Sequence, residues 1–335
     1  MGRADKAVLR LTAGLGLSVL IAYGLGIGVP FLACVMAVLM LSKPGPPIPF
    51  IKGAVLSVIV AVLLAAGVLL VPLLENYAFT GVAVAGALLY GVFRAGARAN
   101  PVMVTILAIA ISVIPVAGVA EQALALMVSG AFAVGLATGI AMASLSHALF
   151  PDSPELTHEA APCAAPNGET VGWRAFRATL VVMPVFVLAL TNPALYLAAV
   201  VKAVALAQQA SLTDARSAGR ELMGSTIVGA AMAAAVWLGL SMWPSLWMLV
   251  LWMSAAALWA GVRLFQVKAS SFPPSFWSNA LVTMVILLGP AIEDSASGKD
   301  VYRASAVRVS LFVVVALYTW ATVWALERWQ ASRLR

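Results

Sequence analysis

Residues 53–73, GAVLSVIVAVLLAAGVLLVPL, run for 21 residues without a charge. A helix rises about 1.5 Å per residue, so this stretch reaches across a bilayer core of about 30 Å. A helix lying on a protein surface would need a polar stripe, and Ser57 is the only hydroxyl here. The run is therefore read as a helix for lipid. Working outward, the whole chain has the same character. Of 335 residues 63% are hydrophobic and 10% are charged, with a mean hydropathy of +1.01. Soluble domains are about 45–50% apolar and about 25% charged. Too little polar surface exists to solvate a globule, which excludes a soluble enzyme, a nucleic-acid-binding module and a disordered chain.

Proline, glycine and charge divide the chain into twelve such segments: 9–28, 30–42, 53–73, 78–93, 101–117, 123–149, 176–191, 194–210, 222–242, 244–262, 275–290 and 304–326. The fold class expected is all-α, a polytopic membrane protein of about 12 transmembrane helices. The 30–42 segment is short, and is read as tilted or broken. Residues 150–175 are rich in Pro and acid and lack helical periodicity, so they read as a cytoplasmic linker between membrane regions 1–149 and 176–335. Arg3, Lys6 and Arg10 lead into the first segment as they would into a signal peptide. A secretory apolar core spans only about 7–15 residues, whereas this one is longer and flows into the next, so a retained first span is expected.

Lys and Arg give the orientation. With a cytoplasmic N-terminus, the inner side holds Arg3, Lys6, Arg10, Lys43, Lys52, Arg94, Arg98, Arg174, Arg177, Arg216, Arg220, Arg263, Lys268, Arg328, Arg333 and Arg335. The outer side holds Lys299, Arg303 and Arg308, and Lys202 falls inside a span. Sixteen against three places both termini in the cytoplasm, and an even number of spans follows. The net charge of +7 is thus an orientation signal rather than a mark of polyanion binding.

The two regions repeat one another in order. Leu9-Arg10-Leu11-Thr12 answers Phe176-Arg177-Ala178-Thr179, Pro30 answers Pro193, and Gly53 answers Gly224. Val92-Phe93-Arg94 followed by Pro101 answers Leu264-Phe265-Gln266 followed by Pro273, and Pro115 answers Pro290, each proline closing its span. Six spans per repeat make two parallel six-helix repeats, and a transport path is expected between them near the bilayer midplane. All ten Trp lie from Trp173 onward, and Trp243 and Trp247 stand where an outer interfacial belt would be. Gly135-x-x-x-Gly139 and the spaced Gly81, Gly86 and Gly91 permit close helix approach. Lys43-Pro-Gly-Pro-Pro-Ile-Pro reads as a stiff inner loop.

These features resemble a known group: six spans, a polar insert, six more spans, an Arg-x-Thr opening each half, and a basic, Gly-initiated third helix in each half at Lys52-Gly53 and Arg220 to Gly224. The pattern is similar to the fusaric acid resistance and aromatic acid exporter family of bacterial inner-membrane proteins. Plant aluminium-activated malate transporters look like distant relatives of one half. Larger members carry a sizeable cytoplasmic domain between the halves, where this chain has about 25 residues. The resemblance implies proton-driven export of small, often aromatic, carboxylic acids, working with a periplasmic adaptor of the membrane-fusion type.

Lys202 is the residue this topology leaves over. A charge at a helix centre costs about 2.5–3.5 kcal/mol on insertion scales and normally faces protein or a water-filled cavity. At 100° per residue its face includes Ala198, Ala199, Ala205 and Gln209, with Val200 and Val204 opposite, a plausible lining for an organic anion. The competing readings are snorkelling to the interface or pairing with a carboxylate. Arg10 and Arg177, at the inner ends of spans one and seven, are candidates to meet an entering anion or to anchor the inner side. Arg308 is a further candidate near the outer end. Proton coupling needs a titratable group, and the nearest carboxylates flank the spans: Glu75, Glu121, Glu293, Asp294 and Asp300 outside, Asp214 and Glu221 inside. His147, at the inner end of span six, and Asp300 are the candidates, with a structural role for His147 as the alternative.

No P-loop, HExxH, GxSxG or dinucleotide fingerprint is present, and Cys34 and Cys163 have no metal spacing. No enzyme activity, cofactor or metal is expected. The expected function is a secondary exporter of organic anions. A passive anion channel and a non-transporting subunit that docks an envelope partner are the alternatives. Association of copies is left open.

Overall fold

The computed structural model describes residues 2–27, 29–42, 50–96, 101–151, 168–212, 215–298 and 300–333, and among them every regular element is helical. The first helices are α1 (Arg3–Gly24) and α2 (Pro30–Leu41), followed by α3 (Phe50–Gly67), which passes through a 3-10 turn at Val68–Leu70 into α4 (Val71–Asn76). Then come α5 (Ala78–Ala95), α6 (Pro101–Ala120) and α7 (Gln122–Leu149). The remainder is α8 (Gly168–Thr191), α9 (Pro193–Leu212), α10 (Ala215–Met242), α11 (Leu246–Leu264), α12 (Pro274–Ala296) and α13 (Val301–Arg333). Proline opens α2, α6, α9 and α12, where its fixed φ suits the first helical position and no backbone donor is lost. Ser245 caps α11 by accepting from the Met248 amide at 3.3 Å.

Each apolar segment read from the sequence coincides with a helix over most of its length. Ten helices, with α3 and α4 counted as one rod, are long and apolar enough to cross a membrane, and they mark the chain as a multi-pass membrane protein. Among the described residues α2 and α9 fall short by that measure. The first has 12 residues, about 18 Å of helix, and the second has an apolar stretch limited to Leu195–Gln208. Both are enclosed by protein, so neither must satisfy lipid along its whole length.

Several boundaries differ from expectation. Pro115 and Pro290 do not close their helices, because α6 and α12 run on to Ala120 and Ala296. A buried proline within a membrane bundle is tolerated where neighbouring helices re-satisfy the freed backbone. The linker is shorter than 150–175, since α8 already starts at Gly168. Residues 152–167, including Cys163, and the Lys43–Pro49 loop lie outside the described residues.

Packing follows a regular scheme. Helix α2 sits among α1, α7 and α12, while α9 sits among α8, α13 and α6. Helix α1 packs on α11, and α5 packs on α8. Helix α3 packs on α6 and α7, as α10 does on α12 and α13. Gly135 and Gly139 do what their spacing suggested. A Cβ on them would stand 3.0 Å from the Ala33 amide nitrogen and 3.1 Å from that of Ala37, so α7 lies directly on the backbone of α2. Gly81 meets Leu74 and Gly86 meets Met183, whereas Gly91 faces open space. Ile51, Val55, Val62, Leu69 and Phe79 point outward, as lipid-facing residues do, and Trp243 and Trp247 stand exposed around the α10–α11 turn.

Candidate functional site

Lys202 lies nine residues from Pro193 and ten from Leu212, about 13–15 Å from either end of α9. It is fully buried. Its Nζ donates to Thr283 Oγ1 at 2.5 Å and to Asn279 Oδ1 at 3.4 Å, both on α12. The Thr283 hydroxyl donates onward to the Asn279 carbonyl, one turn back, at 2.6 Å. Asn279 Nδ2 donates to Ser225 Oγ on α10 at 2.7 Å, and Ser225 donates to the Leu222 carbonyl at 3.2 Å. Three helices thus contribute to one buried polar network. Thr283 is nine residues, about 13.5 Å, from the start of α12, which again places the network near mid-helix.

The charge balance of this network is unusual. Among the described residues both hydrogen-bond partners of Lys202 are neutral. An ammonium has three donors, and two are engaged here. A buried charge is ordinarily paired, because desolvation is otherwise uncompensated. Glycine brings α10 close enough to complete the network. A Cβ on Gly229 would lie 2.6 Å from both the Ala280 carbonyl oxygen and Thr283 Cβ.

The expected lining of Lys202 is replaced by another. Val200 and Val204, expected on the opposite side of α9, are as buried as Ala199, so the helix is covered on both sides around Lys202. The amine is met by hydroxyl and amide groups of α12, not by the small residues of its own helix. Gln209 belongs to α9, but its side chain lies outside the described residues.

The three arginines named as candidates to meet an anion, two of them with anchoring as the alternative, are engaged elsewhere. Arg10 donates from Nε to the Phe150 carbonyl at 2.8 Å and from Nη2 to the same oxygen at 2.5 Å. That carbonyl caps the C-terminus of α7, where a cation also suits the helix dipole. Arg177 on α8 pairs with Glu327 on α13 at 2.5 Å. Arg308 on α13 pairs with Asp294 on α12 at 2.6 Å. Asp294 was expected in an outer loop, but the longer α12 carries it into the bundle, where it is buried.

The two proton-coupling candidates bond locally. His147 Nδ1 lies 2.8 Å from the Ala143 carbonyl, one turn back along α7. Asp300 is exposed, and its Oδ1 accepts from the Arg303 amide at 3.2 Å at the start of α13. Neither shares a described contact with Lys202.

The residues missed from sequence are Ser225, Asn279 and Thr283. Asn279 and Thr283 stand four apart in a long apolar helix, on one face, and that spacing was the available signal. Among the described residues no group of three His, Cys, Asp or Glu gathers as metal ligands would.

One family model matches the chain. Its description is "Protein of unknown function (DUF2955)", and it covers residues 7–146. No curated protein and no solved structure matches. The matched stretch takes in α1 to α7, except for their outermost residues. It leaves out α8 to α13, and with them the Lys202 network.

Proposed function

We propose that this chain is a secondary transporter that exports small organic anions, aromatic carboxylic acids foremost, of the fusaric acid resistance and aromatic acid exporter type. The observation that carries this reading is Lys202, a fully buried amine near mid-helix whose described partners are neutral and whose third donor has no partner among the described residues. An anion arriving beside it would supply the missing counter-charge, and the substrate would be recognised by that exchange.

The architecture in this reading is twelve membrane segments in two parallel six-helix repeats, α1–α7 and α8–α13. The packing scheme supports it. The second segment of each half lies among the first and sixth of its own half and the fifth of the other. The first segment of each half packs on the fourth of the other, and the third of each packs on its own fifth and sixth. The bounds of the matched family stretch fall close to the first repeat. At the spacings that relate the halves, Lys202, Ser225, Asn279 and Thr283 correspond to Leu39, Ala54, Val104 and Ala108. The first repeat is apolar where the second is polar, so the site belongs to one repeat and the other serves as its frame.

The termini are cytoplasmic, the membrane is the bacterial inner membrane, the proton gradient supplies the drive, and a periplasmic adaptor receives the substrate. Replacing Lys202 with Ala abolishes carboxylate export from cells while leaving folded protein in the membrane; full export by that variant sinks the assignment. A passive anion channel is the second reading, favoured by the lack of a described titratable partner beside Lys202. Collapsing the proton gradient while holding the anion gradient separates the two, since only a channel keeps its flux.

A further inference from the structure

The α10–α12 seam that holds the Lys202 network ends in a cluster of rings and guanidinium groups. Phe272 and Phe276 stack with centroids 4.2 Å apart, Phe276 meets Trp277 edge-on at 5.1 Å, and Trp277 meets Trp259 at 5.4 Å. Arg220 lies 5.6 Å from the centre of the Phe272 ring. At the other end Arg263 lies 4.0 Å over Trp259 and 5.3 Å over Trp277, and its Nη1 donates to the Trp259 carbonyl at 2.7 Å. Ser270 fastens the connecting loop, with its Oγ accepting from Trp277 Nε1 at 3.0 Å and from the Phe272 amide at 3.2 Å. Phe276 and Trp277 are buried, so these rings are fixed before any ligand arrives.

We propose that Arg220 and Arg263, with the rings between them, form a second anion site at the inner mouth of this seam, for a carboxylate or phosphate borne on a flat or apolar body. The proposal rests on the transporter reading for its place on a path. Its chemistry stands on the cluster itself. Arg177 and Arg308 each have a carboxylate, whereas among the described residues neither Arg220 nor Arg263 does. A guanidinium carries five donors in a fork that matches carboxylate and phosphate, and Arg263 has committed one of its nitrogens. Of these rings Phe272 and Trp259 are partly exposed, and they add affinity for an apolar body, which an inorganic anion lacks. Phe276, Asn279 and Thr283 follow at helical spacing along one face of α12, opposite Gly224, Ser225 and Gly229 of α10. Phe276 to Thr283 is about 10.5 Å along the axis, so an anion held at the rings stands one short step from Lys202.

Such a ligand has two sources, a free organic anion or an anionic lipid, and equilibrium binding distinguishes them. The full chain is placed in phosphatidylcholine nanodiscs and dialysed against labelled benzoate, with acetate as the probe lacking a flat body. A free-anion site binds benzoate at least about tenfold more tightly than acetate. R220Q and R263Q each weaken benzoate by about tenfold or more, the loss expected from one charge-assisted hydrogen bond, and K202M leaves this site occupied. A lipid site instead shows phosphatidylglycerol retained by the wild-type chain in native mass spectrometry and lost from R220Q and R263Q. If R263Q does not fold, R263K keeps the charge, loses the fork and gives a smaller shift in the same direction. Indifference of both benzoate and phosphatidylglycerol to the two arginines overturns the proposal. Benzoate binding that disappears in K202M but persists in R220Q and R263Q overturns it too, and leaves the Lys202 reading standing.

Discussion

Replacing Lys202 with Met sets stability and function against each other. The substitution keeps most of the side-chain volume and removes the ammonium. Thr283 keeps its hydrogen bond to the Asn279 carbonyl, and the Asn279 amide keeps Ser225. Thr283 Oγ1 and Asn279 Oδ1 each lose the amine, at 2.5 and 3.4 Å, but the Thr283 hydroxyl stays bonded by its own donation, so Asn279 Oδ1 is the acceptor left without a described partner. Leaving one acceptor unsatisfied costs about 1–3 kcal/mol. Against this, the effective penalty for a desolvated ion is several kcal/mol, and it is relieved when the charge goes. The variant is therefore expected to unfold at a temperature no lower than the wild type. An anion loses a charge-assisted hydrogen bond worth about 1.5–3 kcal/mol, so its affinity falls roughly 10- to 150-fold. A thermal ramp in detergent measures the first effect, and benzoate flux into proteoliposomes measures the second. A variant that unfolds early yet carries benzoate normally refutes the reasoning, because the amine would then be a structural tie. Unchanged flux at unchanged stability refutes it equally.

Other outcomes follow from the packing and the ion pairs. Gly229→Val drives a branched side chain against Ala280 and Thr283, and is expected to lower stability by about 1–3 kcal/mol and to abolish flux; a variant with normal flux would show that α10 need not lie close to α12. Arg177→Gln and Glu327→Gln are each expected to leave benzoate affinity intact, with a coupling energy of about 1 kcal/mol or less in a double-mutant cycle, since Glu327 is partly exposed. Loss of anion affinity in Arg177→Gln alone would restore Arg177 as a substrate ligand. Gly139→Leu, pressed against the α2 backbone, is expected to prevent assembly of folded protein, as read by size exclusion. In a chain with Cys163→Ser, a cysteine at Ser297 is expected to react from the outer side with an impermeant maleimide and one at Ser271 is not; the opposite result reverses the orientation.

The helices were legible because each is announced by its own residues. Apolar runs of known length mark the spans, and proline at the first position marks where four of them begin. Gly135 and Gly139 also disclosed their role, since a four-residue spacing of small residues has one common use. Helix ends were less legible. Pro115 and Pro290 looked like terminators because a lone helix breaks at proline, and only the surrounding bundle lets α6 and α12 continue. Among site residues, Lys202 stood out as a charge in an apolar run. Its partners did not, because Ser225, Asn279 and Thr283 lie on other helices, and hydroxyl and amide groups are common in membrane segments. Arg10, Arg177 and Arg308 were read as available charges. What engages them, a carbonyl 140 residues away for Arg10, a carboxylate 150 residues away for Arg177 and Asp294 for Arg308, is set by tertiary folding.

The joint between α8 and α9 has a consequence for how the chain is made. Thr191 ends one helix and Pro193 begins the next, and Asn192 Oδ1 accepts from the Leu195 amide at 3.3 Å. The two helices are therefore one hairpin. Alone, α9 offers the insertion machinery a 14-residue apolar stretch with a lysine in its middle, which is too short and too polar to be released into lipid. It has α8 to lean on, but the groups that receive its lysine are on α12, which the ribosome delivers some 70 residues later. Until then the site is unfinished, and a nascent chain halted after α11 would hold α9 at the membrane surface, open to a glycosylation or proteolysis reporter that the complete protein excludes.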